Sequence, residues 1–212
     1  SVGIKLGSKG RLSLDASEFR TAINSDFESV FDLFAESRNI ASSDNGGWAS
    51  LGGGISAESG FDLQDLLNGN NDPDDYNDAG GGNGFKAEHL SGGYINFNFG
   101  QLKTINKLRL FHIDNNTFAA EDYALKSFNV EYLNPRTNTY KTLLDVSNNT
   151  NAKTTYTLPE PVNTSSIRLK MFKTNDSGSP AYDRLVEFEA YENTGLASRL
   201  NNILKEYTSA DG

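Results

Sequence analysis

The chain has 212 residues, 19 Lys and Arg against 28 Asp and Glu, two His and no Cys, and a net charge of −9. An acidic surface repels phosphate backbones and anionic headgroups, so neither nucleic acid nor membrane is an expected partner. Without Cys there is no disulfide framework, no thiolate nucleophile and no Cys-based zinc site.

A hydrophobic content of 36% suffices for a packed core at this length, while 20 Gly and 24 Asn favour turns and short strands over long helices. No stretch approaches the roughly 20 apolar residues a bilayer requires, and the first twenty residues lack a charged-then-apolar signal pattern. Asp15 and Glu18 open a helix whose Phe19, Ala22, Ile23 and Phe27 are three and four apart. Ser25 and Glu28 repeat the start signal, and Phe27, Val30, Phe31 and Phe34 continue one apolar stripe to about Arg38. From residue 39 to 193 the period drops to 2. Ile95, Phe97 and Phe99, then Phe128, Val130 and Tyr132, then Ile167, Leu169 and Met171 alternate with polar neighbours, as half-buried antiparallel strands do. Further strands are expected at 103–113, 140–146, 154–158 and 184–191. The class is mainly β, a sandwich or jelly roll of about eight strands. Leu196, Leu200, Ile203, Leu204 and Tyr207 form a last helical stripe.

The outer segments resemble the filament capping family of flagellar hook-associated proteins. Gly3-Ile4-Lys5-Leu6-Gly7-Ser8-Lys9-Gly10-Arg11-Leu12-Ser13-Leu14-Asp15 is similar to its short hairpin. Residues 22–34 are similar to the helix that follows, and residues 195–212 to the next one. The likeness implies a domain split into 1–38 and 195–212, with 39–194 as an insertion of roughly 155 residues, a domain's usual size. It further implies a homo-oligomeric cap that works with flagellin at the extracellular flagellum tip, exported without a cleaved signal peptide. Freedom from Cys fits passage through such a channel.

The insertion resembles the discoidin fold of coagulation-factor C-type domains and galactose-binding-like modules. The likeness rests on Asp65-Leu66-Leu67-Asn68-Gly69-Asn70, on Gly93-Tyr94-Ile95-Asn96-Phe97-Asn98-Phe99-Gly100, and on Ser166-Ile167-Arg168-Leu169 with Leu185-Val186-Glu187-Phe188. Such sandwiches have adjacent termini, which permits insertion into a surface loop. The resemblance implies an extracellular glycan as partner, bound by His89, His112, Asn115, Tyr182 and Arg184 in the neighbourhoods that carry the family's sugar contacts. Against this, His112 shares strand parity with Leu108 and Leu110, as a core residue would, and Tyr182 has the alternative of packing on the sandwich. Trp48, Tyr76 and Phe118 are loop aromatics, expected to pack.

The segment 61–85 holds Asp62, Asp65, Asp72, Asp74, Asp75 and Asp78 and no basic residue before its end. Carboxylates at this density suit Ca²⁺; the alternative is a plain solvated loop. The resemblance implies a structural Ca²⁺ between this loop and a C-terminal glutamate, giving Asp72, Asp75 and Glu187 as ligands, although Asn68 stands where the family has Asp. Catalysis is not expected. The run Gly80-Gly81-Gly82-Asn83-Gly84 lacks the Lys-Ser/Thr of a phosphate loop and reads as a flexible linker. Three functions follow: a glycan-binding insert of a filament cap, a ligand-free spacer of the same cap, or an accessory module of a secreted glycosidase.

Overall fold

The structure is a computed structural model that describes residues 3–6, 12–25 and 37–193. The chain forms two compact units, one from Ser1–Arg38 with Asn193–Gly212 and one from Asn39–Glu192. In the first, β1 (Ile4–Leu6) pairs antiparallel with β2 (Leu12–Leu14), Ile4 opposite Leu14. Helix α1 (Ala16–Ser25) starts where Asp15 Oδ1 accepts from the amides of Ser17 and Glu18, as the sequence predicts. Phe19, Ala22 and Ile23 are its half-buried stripe. The predicted continuation through Phe34 and the predicted helix at 196–207 lie outside the described residues.

The second unit is the β-sandwich. After β3 (Ser37–Asn39) come β4 (Trp48–Gly52), β5 (Phe85–Glu88), β6 (Tyr94–His112), β7 (Leu125–Asn134), β8 (Thr139–Val146), β9 (Lys153–Thr174) and β10 (Tyr182–Asn193). The predicted strands at 95–99 and 103–113 are one long strand, β6, and those at 154–158 and 167–171 are one long strand, β9. Both serve two layers. Residues 94–98 of β6 pair with 166–170 of β9, and this stretch is flanked by β4 on one side and by β7 and β8 on the other. Residues 107–111 of β6 pair with 153–157 of β9, and β10 and then β5 complete that second layer.

Between the halves the register breaks twice, after Asn98 and after Ile105. The surplus residues are Phe99–Leu102 on β6 and Leu158–Pro161 on β9. Pro159 and Pro161 have no N–H to give a ladder and so belong where it is interrupted, while Gly100, at φ 70°, turns the facing strand. These bulges bend both strands from one sheet into the other.

Alternation then fills the space between the sheets. Ile95, Phe97 and Phe99 point inward beside Val130, Ile167, Leu169 and Met171, and meet Leu108, Leu110, Leu185 and Phe188 of the other layer. Phe97 and Phe188 stack across the interlayer space with centroids 3.8 Å apart and planes 5° from parallel. A smaller core forms on the outer side of the second layer, where Phe61, Tyr76, Phe111, Ile113 and Val186 pack with Phe118 and Tyr123. Tyr76 and Phe118 are therefore packing residues. Trp48, in contrast, begins a strand.

Candidate functional site

The outer core is organised around Arg184, which is 4% exposed. Its Nε donates to Asp78 Oδ1 at 2.8 Å and its Nη1 to Asp176 Oδ2 at 2.6 Å. Its guanidinium also lies about 5 Å from the ring centres of Phe118, Tyr123 and Tyr182. Asp78 further accepts from Tyr76 Oη and from Lys86 Nζ. Burial pushes both carboxyls up, but the donors around them, Arg184 first with Lys86 and Tyr76 at Asp78 and the Gly178 and Tyr182 amides at Asp176, together outweigh it and hold them below the usual carboxylate range. Arg184 thus ties the acidic loop and the 175–181 loop to β10 and has no role as a free sugar donor. Asp78 is compensated by cations from outside its segment.

The same ladder separates two of the predicted sugar residues. Tyr182 sits opposite Glu88, Asp183 opposite Ala87, Arg184 opposite Lys86 and Leu185 opposite Phe85. Alternate residues of a strand face opposite sides, so Tyr182, Arg184 and Lys86 lie toward the outer core. Asp183 lies on the face of buried Ala87 and Phe85, and it takes His89 with it. Tyr182 stacks under Lys86 Nζ, 4.4 Å from its ring centre. The two predicted ligands therefore do not converge.

His89, just past β5, places Nδ1 2.9 Å from Asp183 Oδ1 and 3.0 Å from Oδ2. Asp183 is fully buried, and the hydrogen bond that its carboxylate accepts from the imidazole raises the imidazole above its ordinary value against the opposing effect of burial. Burial raises Asp183 in turn, with His89 and Arg184 pulling it down. His89 opens onto a cleft of about 230 Å³ that Ile55, Ser56, Glu58, Glu88 and Leu90 also line. Leu90 is 47% exposed. An aliphatic wall and an oriented imidazole at one opening match what a sugar needs, an apolar surface for C–H groups and a directional polar group beside it. The sequence names His89 as a candidate, but not Ile55, Ser56, Glu58 or Leu90 beside it.

His112 is 2% exposed, 5.9 Å from Phe128 by ring centre, with Nε2 3.5 Å from the Asn149 amide and Nδ1 unpartnered. Burial pushes its pKa down to about 4, so it stays neutral in the core. It is not a surface ligand, because the parity it shares with Leu108 and Leu110 turns it inward. Asn115 is spent on its own loop: Oδ1 accepts from the amides of Thr117 and Phe118, and Nδ2 donates to the Pro73 carbonyl.

In the acidic segment, Asp62 Oδ1 accepts from Gln64 N, and Asp72 Oδ1 from Asp74 N, each opening a short 3₁₀ turn. Asp75 Oδ2 accepts from Asn70 Nδ2. The glycine run is packed and not a linker. Gly81 N donates to Gly60 O, and a Cβ at Gly80, whose φ is 88°, would come within 2.8 Å of Gly60 Cα.

Among the described residues no three His, Cys, Asp or Glu side chains group as metal ligands, so Asp72, Asp75 and Glu187 do not form the predicted trio. Glu187 is nevertheless unusual. It is 1% exposed, its Oε1 accepts from Gly69 N, and its Oε2 has no partner. Burial, opposed by Gly69 N–H and aided by Glu189 and Asp65, pushes its carboxyl up to about 9.

The F5/8 type C domain family matches residues 39–183. No curated protein matches the chain by sequence. Among solved structures, the family 32 carbohydrate-binding module of Streptococcus pneumoniae EndoD superposes with a TM-score of 0.51 at 20% identity, over 66% of this chain and 96% of that one. The lectin domain of lectinolysin, complexed with Lewis b antigen, gives 0.55 at 19% identity over 73% and 96%. The family 32 module of C. perfringens NanJ, in complex with galactose, gives 0.53 at 12% over 69% and 93%. At these identities the likeness is one of fold.

The His89–Asp183 pair has a pH signature. A histidine raised in the folded state stabilises fully below its unfolded value near 6.5, and that contribution is lost as pH rises through the higher folded value. Melting curves from pH 5 to 9 are expected to show a loss of stability above about 6.5 that His89→Ala lacks. Parallel curves for the two proteins would count against the pair.

Proposed function

Because the chain belongs to the F5/8 type C domain family, we propose that its sandwich is a non-catalytic glycan-binding domain whose ligand enters the cleft at His89. The observation that carries this reading is the cleft itself, where an imidazole oriented by a buried carboxylate meets exposed Leu90 in an opening that Ile55, Ser56 and Glu58 also line. In this position Nδ1 is committed to Asp183, which fixes the ring plane. The sugar-bound structures of the same fold, with Lewis b antigen and with galactose, support galactose and Lewis b-type glycans as first candidates. A screen of such glycans followed by calorimetry tests it. His89→Ala is expected to lower affinity about tenfold or more, or about 1.4 kcal/mol, while Tyr182→Ala, on the other side of the ladder, leaves it unchanged. Absence of binding to any glycan would favour the ligand-free spacer.

We further propose that the domain holds a structural calcium ion at Glu187. An orphaned, buried carboxylate oxygen is what a cation would satisfy, and hard cations also take neutral amide and carbonyl oxygens. Glu187, Asp65 and the turn at Asn68–Asn70 would hold it, and Asp72 and Asp75 would not. Calcium would supply charge neutralisation there. Saturating Ca²⁺ at about a hundred times its Kd would add about 2.7 kcal/mol of stability, read as a rise in Tm over protein in chelator. Glu187→Gln should abolish the rise. Equal wild-type Tm values in Ca²⁺ and in chelator would remove the site.

The carrier is read from the flanks. Their resemblance to the filament capping family supports an extracellular insert at a flagellar tip, within a homo-oligomer that meets flagellin. The accessory-module reading fits as well, since one similar structure is a chitosan-binding module derived from a chitosanase/glucanase, with 19% identity and a TM-score of 0.53. Gold-labelled antibody against the chain should decorate filament ends; label absent from filaments and found with secreted protein would favour the accessory module.

A further inference from the structure

The sheet of β4, β6, β9, β7 and β8 has a second face, turned away from the core, which the cleft does not use. Register and pleat put Trp48, Asn98 and Ser166 in one row across it. Ser50, Asn96, Arg168 and Glu131 form the next row. Trp48 keeps 51% of its surface exposed, whereas the inward neighbour Ala49 is buried.

Arg168 is fixed between two rings, its Cζ 4.0 Å from the Tyr94 centroid and 3.6 Å from that of Tyr140. Its Nε donates to Asn96 Oδ1 at 2.9 Å, and its Nη1 lies 3.9 Å from Glu131 Oε2. Tyr140 is itself held by a 3.0 Å hydrogen bond between its hydroxyl and Ser166 Oγ. Tyr94 lies flat over Gly52, where a Cβ would fall 2.3 Å from the ring. Four side chains are thus immobilised before any ligand arrives, which lowers the ordering cost of binding.

Trp48 and Arg168 stand on strands separated by one other, roughly 10 Å at a strand spacing of about 4.8 Å. We propose that this face is a second saccharide-binding surface, on which a short neutral oligosaccharide lies across the strands with one ring on Trp48 and hydroxyls on Asn98, Asn96 and the edge of the Arg168 guanidinium. The ring of Trp48 supplies the apolar plane that pyranose C–H groups require. Charge complementarity selects a neutral chain, since Arg168 and Lys170 are balanced on this face by Glu131 and Asp145. The surface is independent of the His89 cleft, and neither site requires the other.

Trp48 is the only tryptophan in the chain, so its emission reports this face alone. The full chain is titrated with short β-1,4-linked gluco-, galacto- and N-acetylglucosamine oligosaccharides. A saturable shift in emission is expected with at least one, retained in His89→Ala and weakened tenfold or more in Arg168→Ala and in Asn98→Ala. Variants whose cooperative melting matches wild type carry the conclusion, and Asn98→Ala provides it should Arg168→Ala unfold. No shift with any of the three, a shift lost in His89→Ala, or a shift unchanged in both face variants overturns the proposal. Binding by calorimetry that needs His89 but leaves emission silent overturns this surface and leaves the cleft reading standing.

Discussion

A guanidinium removed from water is the constraint around which the loop-bearing side of the sandwich is arranged. A buried cation is expensive unless its donors are all engaged by acceptors of opposite charge. Arg184 meets that demand with Asp78 from one loop, Asp176 from another, and three aromatic rings above and beside it. Each carboxylate belongs to a loop rich in polar residues and glycine. The ion pairs draw these segments onto β10, and the small core of Phe61, Tyr76, Phe118 and Tyr123 closes behind them. Removing Arg184 would leave Asp176, nearly buried, without its cation, whereas Asp78 would keep Lys86.

The strand pleat imposes a second division. Consecutive residues of β10 serve different ends: Tyr182 and Arg184 the loop anchor, Asp183 the imidazole at the cleft. A carboxylate fully buried beneath a histidine gives the ring one orientation, so the cleft is shaped by core residues as much as by those that line it. The flat face of the other sheet is ordered by a different device, an arginine clamped between tyrosines. The domain thus fixes two surfaces with the same kinds of side chain, in one case by burial and in the other by stacking.

Much of the architecture is legible in the sequence wherever one face of a strand is buried, because alternation then survives in the residue order: 95–99, 128–132 and 167–171 are strands for that reason. The union of paired segments into β6 and β9 was hidden because Gly100 and the Pro159 and Pro161 pair look like turns, and only the register shows that they are bulges in continuous strands. Trp48–Gly52 and Phe85–Glu88 are short and mixed in polarity, with too few residues to display a period. The site was half legible. His89 is a candidate by its place before a recognisable strand, and the parity of His112 already points inward. Arg184 and Tyr182 could not be judged without the partner register, since the sequence does not reveal which face a residue takes at a strand's first turn. Glu187 was named together with Asp72 and Asp75, which do not group with it, because distance along a loop rich in Asp is no guide to which oxygens approach it.

The seam between the first and last residues of the sandwich also bears on mechanics. Ile40 N donates to the Ala190 carbonyl at 2.8 Å, and Ala190 N donates to Asn39 Oδ1 at 3.1 Å. The polypeptide therefore enters and leaves the domain at one point. Tension along a chain that carries such a domain passes from one side of this seam to the other without crossing the layered core. A load would fall on this seam and on the pairing of β3 with β10, away from the strands that frame the cleft and the flat face.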